Sequence, residues 1–339
     1  MTSENYRFEW VDYAKAIGIL LVVYGHVARG LVSAGIMPDS IVYRYVDSVI
    51  YTFHMPLFFF LSGLFLISSF QSKGFGRVFG SKIDTIVYPY IIWSLLQGGV
   101  EVVLSSYTNA SVTVYDVVSL LSSPRAQFWF LYALFLVFSI SLFVLKFVGV
   151  KALYFSFILS VVFYLWSPKL DFNMNFISAN LVFFLAGAVF QQTKLILFNA
   201  SFVVGVVSIL AIAGQYLFHK AGYTYENKGL FLLGLSVLSL LAIVSLSEWL
   251  SRYNLSFVAY VGASSMAIYL MHILAGSGAR VIVSKVLGVD LLSLHLLLGT
   301  LLGMILPLLA LKVIKYFKIP HLFSFPISHY WLGRADKNK

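Results

Sequence analysis

A small set of ionisable side chains sits in surroundings too apolar to be accidental. In "DYAKAIGILLVVYGH" (residues 12–26), Asp12 and Lys15 open an apolar run and His26 follows Lys15 by eleven positions. Eleven helical residues make about three turns, which puts Lys15 and His26 on nearly one face, roughly 16 Å apart along the axis. Lys15 is close enough to the start of the run either to snorkel to the headgroups or to hold an anionic group there. His26 lies about 18 Å in from that end, where an ionisable group must face protein or water and function is its default reading. "IYTFHMPLFFFLSGLF" places His54 roughly 13 Å below the opposite surface, and "SSMAIYLMH" places His272 about 8 Å below it. Three histidines in one half of the membrane, on helices that alternate in direction, point to a shared cavity. Asp47, seven residues before His54 with Tyr51 between them on the same stripe, is placed to orient an imidazole. In an apolar setting the imidazolium is disfavoured, so the neutral ring is available as a general base. No HxxxH spacing occurs and no two of the three histidines share a helical turn, which argues against a metal site.

The elements that hold these residues follow from composition. Hydrophobic residues make up 60% of the chain and charged ones 11%, with a mean hydropathy of +0.91. That balance excludes a soluble domain and gives an all-α, polytopic membrane protein. Apolar windows fall at 14–33, 45–69, 84–105, 127–146, 151–167, 176–192, 199–218, 229–247, 257–277 and 289–314, ten predicted spans in a single domain over 1–339, with a basic tail from 315 to 339. "LKFVGVK" leaves only a tight turn between the fourth and fifth spans. The acidic Glu4, Glu9 and Asp12 ahead of the first run, and no small-residue cleavage site after it, read as a retained span rather than a signal peptide. Of 23 Lys and Arg, fourteen fall on the side of the termini, eight on the other and Lys15 within the first span, so both termini are expected in the cytoplasm. The net charge of +10 is then loop charge rather than a nucleic-acid footprint. With no cysteine, disulfides, thiolate metal sites and a Cys nucleophile are excluded.

Pro56 removes a backbone donor, frees the carbonyl of Thr52 and predicts a kink beside a cavity. Ser62 and Gly63 predict close helix packing. "SKGFGRVFGSKIDTIVYPY" reads as a loop that gathers Lys73, Arg77 and Lys82 at the cytoplasmic face, either as positive-inside charge or as a phosphate site. No internal repeat is visible, and no pair of broken spans in corresponding halves, which a transporter or flippase would need, is legible. That class, with intramembrane Lys, His and Asp as a proton relay, remains the alternative, as does a non-catalytic membrane subunit of a glycan assembly machine.

Taken in order, the spaced Lys15 and His26, "FHMPLFFFLSGLF", the basic segment leading to "YPYIIWSLL", "FWFLYALF" at 128–135 and "SSMAIYLMH" resemble the acyltransferase family 3 membrane proteins, bacterial O-acyltransferases of surface glycans. "FEWVDYAKAIGILLVVYGH" is similar to their fucose 4-O-acetylase-like branch, although many members carry Arg where this chain has Lys15. The resemblance implies an enzyme of the bacterial inner membrane that takes an acyl group, usually acetyl, from cytoplasmic acyl-CoA, and transfers it to a hydroxyl of a surface or lipid-linked glycan. Acetyl-CoA is then a substrate rather than a resident cofactor, and the partners are acyl-CoA, the glycan and membrane lipids. It implies His26 as general base or acyl carrier, with His54 and Asp47 as its neighbours. Lys15, Arg77 and Lys82 would hold the donor, and His272 and Trp129 would meet the acceptor. His54 or His272 would serve the acceptor hydroxyl or the developing oxyanion.

Overall fold

In lipid every backbone polar group must be satisfied within its own segment, so apolar runs of this length become helices. The computed structural model describes residues 9–103, 113–121, 123–170, 172–193 and 201–330. Arg7, Lys194, Arg334, Lys337 and Lys339, which entered the charge count, lie outside the described residues, as do the last part of the expected tail and the span ends at 104–105 and 199–200. The helices are α1 (Glu9–Ser33), α2 (Ile41–Tyr51), α3 (His54–Gly63), α4 (Leu66–Lys82), α5 (Tyr88–Val103), α6 (Val114–Val118) and α7 (Trp129–Phe147). They continue with α8 (Leu153–Trp166), α9 (Phe172–Thr193), α10 (Ser201–Lys220), α11 (Leu230–Ser251), α12 (Ser256–Ala263), α13 (Ser265–Val281) and α14 (Leu292–Tyr316). Among the described residues, nine helical stretches are long and apolar enough to cross a membrane. The chain is a polytopic, all-helical membrane protein. It divides into two compact units, Met1–Phe58 with Ile196–Val313, and Phe59–Leu195 with Ile314–Lys339.

Three expectations change in the structure. The expected span at 45–69 is not one helix: α2 and α3 are separated at Thr52–Phe53, and a second break follows at Leu64–Phe65. The first break has the cause read from Pro56, and the freed Thr52 carbonyl accepts a 2.6 Å hydrogen bond from the Ser236 hydroxyl. Gln215 adds a 2.7 Å bond to the Thr52 hydroxyl, so the interruption is fully partnered within the bundle. The expected ninth span is likewise interrupted at Ser264, between α12 and α13. The basic segment expected as a loop is helical: α4 runs through a π-turn at Ile83–Val87 into α5. This 38-residue stretch, Leu66–Val103, would reach about 57 Å if straight, nearly twice a hydrocarbon core. It bends at Gly74, whose φ of 73° is left-handed. Its helical state comes from Phe75 and Phe79, one turn apart, which join Phe143 of α7 at ring distances of 5.0–5.9 Å. The turn between α7 and α8 is as tight as expected, with Gly149 supplying a φ of 85°.

In the first unit α1 packs along α11, α12 and α13. Its buried side is built largely of small and β-branched residues, among them Ala14, Ala16, Gly18, Val22, Val23 and Ala28. Where its neighbours touch it they carry glycine: a Cβ on Gly262 would overlap the Asp12 carbonyl, and one on Gly299 or Gly303 would come within 2.7 Å of Val27 or Val23. In the second unit Gly63 and Gly187 play the same part at the α3–α9 crossing, each facing a backbone carbonyl of the other helix. The tail folds back on the start of α5: Tyr88 donates to the His321 carbonyl at 2.7 Å, Trp93 to the Leu322 carbonyl at 2.7 Å, and Ser328 to Asp84 through its amide and hydroxyl.

Because the Gly187 Cβ position is occupied by the Phe60 carbonyl, Gly187→Ala must part α3 from α9, an overpacking cost of about 1–3 kcal/mol. Its melting temperature in detergent is expected to fall by several degrees. Gly205→Ala, which meets open space, serves as the control and should match or slightly exceed the parent. Equal melting temperatures for the two variants would contradict the packing.

Candidate active site

The first unit gathers His26, His272 and His295 around one small cavity, whose wall also includes Gly30, Gly276 and Arg280. The rings of His26 and His272 meet edge to face, with centroids 5.0 Å apart. The cavity holds about 30 Å³, room for about two water molecules. His54, also in this unit, is 1% exposed and lies within electrostatic range of His26. Of the three histidines expected to share a cavity, His26 and His272 do and are in direct contact, while His54 does not line it and His295 does.

Each ring is oriented by a backbone carbonyl three or four residues earlier in the chain, which for His54 lies across the break, in α2. His26 Nδ1 lies 2.9 Å from the Val22 carbonyl, His54 Nδ1 2.8 Å from that of Ile50, and His272 Nδ1 2.8 Å from that of Tyr269. A carbonyl only accepts, so in each neutral ring Nδ1 carries the proton and Nε2 is left with a lone pair. His26 thus presents an acceptor nitrogen, as a general base requires. The same geometry narrows the role of His272: as a neutral imidazole it can only accept a hydrogen bond at Nε2 and has no proton there to give an oxyanion.

Asp47 corrects the sequence reading. It does not orient a histidine; it takes two hydrogen bonds of 2.8 Å from Arg29, one turn beyond His26 on α1. There the carboxylate of α2 finds a cation, and the bidentate geometry makes the pair strong. Tyr51 is the link to the histidine instead: its ring packs edge-on to His54 at 4.4 Å and lies 3.4 Å below the Arg29 guanidinium. Arg29 also reaches the hydroxyl of Tyr225 at 3.3 Å, in the loop between α10 and α11. Burial holds that phenol above its usual range, so it stays protonated. The loop is pinned again where the Tyr225 amide donates to the Ser48 hydroxyl at 3.0 Å, and that hydroxyl to His219 at 2.8 Å.

The remaining expected site residues are placed elsewhere. Lys15 is a third exposed and stands 3.6 Å from Asp12, a buried carboxylate one turn earlier on α1. It does not line the histidine cavity. Arg77, Lys82 and Trp129 belong to the second unit. Arg77 is exposed on α4, Lys82 places its ammonium 4.6 Å over the Phe138 ring, and Trp129 stacks on Phe176 at 5.4 Å. Sequence reasoning missed Arg29, Tyr225, Arg280 and His295. His295 carried a usable signal, since it lies six residues inside the end of the last predicted span, a depth like that of His272. Among the described residues, no three His, Asp or Glu side chains group as a metal ion would need.

A histidine-lined cavity inside a multi-helix bundle defines the chain as a polytopic membrane protein with ionisable groups buried among its helices. The chain belongs to acyltransferase family 3: the family model described as "Acyltransferase domain" matches residues 8–331. Part of it is similar to Nodulation protein NolL of Mesorhizobium japonicum, 29% identical over 128 residues, which is 38% of this chain and 33% of that protein. Nodulation protein NolL of Sinorhizobium fredii is 26% identical over 137 residues, 38% of this chain and 34% of that protein. The match thus spans about a third of each relative's length. No solved structure matches the chain.

If Arg29 and Asp47 are the pair that fixes α2 on α1, Asp47→Asn should remove about 1.5–3 kcal/mol by weakening two charge-assisted hydrogen bonds. The double variant Arg29→Met/Asp47→Leu leaves no unpaired charge and is expected to melt closer to the parent than Asp47→Asn does. Thermal unfolding in detergent reads both, and a double variant less stable than the single would refute the pairing.

Proposed function

We propose that the protein is an O-acyltransferase of the bacterial inner membrane that moves an acyl group, acetyl first among the choices, from cytoplasmic acyl-CoA to a hydroxyl of a surface or lipid-linked glycan. Membership of the acyltransferase family supports the reaction class. The single observation that carries the mechanism is the orientation of His26, with Nδ1 on the Val22 carbonyl and Nε2 left as a proton acceptor. In the proposed step His26 takes the proton of the acceptor hydroxyl while that oxygen attacks the thioester carbonyl. The new C–O bond forms as the C–S bond breaks, and the imidazolium returns its proton to the departing CoA thiolate. The donor's phosphates are assigned to Arg77 and Lys82, whose charges suit phosphate oxygens. Lys15 is assigned to the polar arm of the donor, and its exposed third is what reaches it.

His26→Ala leaves a small apolar residue in an apolar helix and should insert normally while transfer falls about a hundredfold to ten-thousandfold. Label from isotope-marked acetyl-CoA, counted on a lipid-linked glycan in proteoliposomes, measures it. A parent protein that never labels the glycan would favour a transporter, and a His26→Ala protein of normal rate would end the mechanism. Replacing Arg77 and Lys82 together with Gln should raise the Michaelis constant for acyl-CoA about tenfold or more while leaving acceptor choice alone. An unchanged constant would remove both residues from the donor site.

A further inference from the structure

Two residues that line the cavity each have a buried imidazole nitrogen without a hydrogen-bond partner, Nε2 of His272 and Nδ1 of His295. Both residues are nearly inaccessible, at 1% and 2% exposure. Their protonation follows from what the other nitrogen does. His272 Nδ1 faces the Ile268 and Tyr269 carbonyls at 3.2 and 2.8 Å, and His295 Nε2 faces the Val289 carbonyl at 2.9 Å. Each anchored nitrogen therefore carries the proton, and each unpartnered one is an acceptor. Leaving two buried acceptors unpaired is costly, so this wall is complementary to something that brings two donors and little bulk.

We infer that His272 and His295 form an acceptor-only clamp for two neighbouring hydroxyls of the glycan acceptor, beside the base that activates the reacting one. The inference rests on the acyl-transfer reading and extends it to the part of the sugar that is recognised. The cavity holds about 30 Å³, which admits two hydroxyl groups reaching in but excludes a sugar ring. Hydroxyls also accept, and Arg280 lines the same cavity with its guanidinium, already tethered by one N–H to the Gly30 carbonyl at 3.3 Å. His26 lies against His272, so a clamped diol presents its next hydroxyl to the base. A metal ion is the other ligand that takes imidazole lone pairs, but the described side chains do not group as one requires.

The test uses the full chain in nanodiscs, with histidines labelled by ¹⁵N and the two unprotonated nitrogens assigned by their loss in His272→Leu and His295→Leu. The probes are methyl hexopyranosides with different diol arrangements, each alongside its monodeoxy analogue. At least one glycoside should shift both resonances in the direction of a newly accepted hydrogen bond, and its deoxy analogue should bind about ten- to a hundredfold more weakly. His295→Asn, whose amide oxygen keeps an acceptor near the Nδ1 position, should retain that preference. His295→Leu should bind glycoside and deoxy analogue alike. Resonances that no glycoside moves would assign the cavity to water and overturn the clamp, as would a His295→Leu protein that still rejects the deoxy sugar. Glycoside binding with both shifts in a protein that transfers no label from acetyl-CoA would uphold the clamp and defeat the acyl-transfer reading alone.

Discussion

The first unit depends on how closely other helices come to α1. Three of its close contacts are made by glycine: Gly262 meets the Asp12 carbonyl, and Gly299 and Gly303 meet Val27 and Val23. In a bilayer, where lipid tails are as apolar as leucine, such close contact is what favours helix on helix over helix on lipid. Enclosure is what makes the polar stripe of α1 tolerable, because His26, Arg29 and Asp12 then face protein instead of hydrocarbon. The histidines exploit that enclosure in one way. Each spends one ring nitrogen on a backbone carbonyl a few residues earlier in the chain and so holds the other at a fixed angle and in a fixed protonation state.

The site divides the same way between what could and could not be read in the sequence. Depth and periodicity are properties of a single helix, and they placed His26 and His272 in one cavity but wrongly added His54 to it. The break at Pro56 was also readable, since a missing N–H and a freed carbonyl are local facts. Pairing between helices was not. Asp47 shares a helical face with His54, but the cation it prefers is Arg29, eighteen residues earlier on another helix, and periodicity carries no information about which stripes will face each other. His295 was hidden for a different reason. Its depth matched that of His272, but no motif around it marked it out, and its place beside His272 follows only from how α14 meets α13.

The basic segment is a helix whose composition resembles that of a loop. Glycine, lysine and arginine together lower local hydropathy, and a window average then marks a loop. The apolar positions within it, Phe75, Val78, Phe79 and the stem of Lys82, recur at helical spacing and form the face that packs on α7. Lys82 is covered by an aromatic ring as well as charged, so the same residue serves packing and any role it has toward phosphate.

The division of the chain into Met1–Phe58 with Ile196–Val313 and Phe59–Leu195 with Ile314–Lys339 has a consequence for biogenesis. Translation delivers α1 first and its partners α11 to α14 last, so the helix that bears His26 must wait through the synthesis of the whole intervening unit. The second unit in turn closes only when the final residues fold onto Tyr88 and Trp93. During that interval α1 carries its own neutralising partner for Lys15, because Asp12 is one turn away on the same helix. The pair lets the polar α1 reside in the membrane before α11 to α14 exist to shelter it, and long-range closure of this kind makes assembly slow relative to a bundle of sequential hairpins.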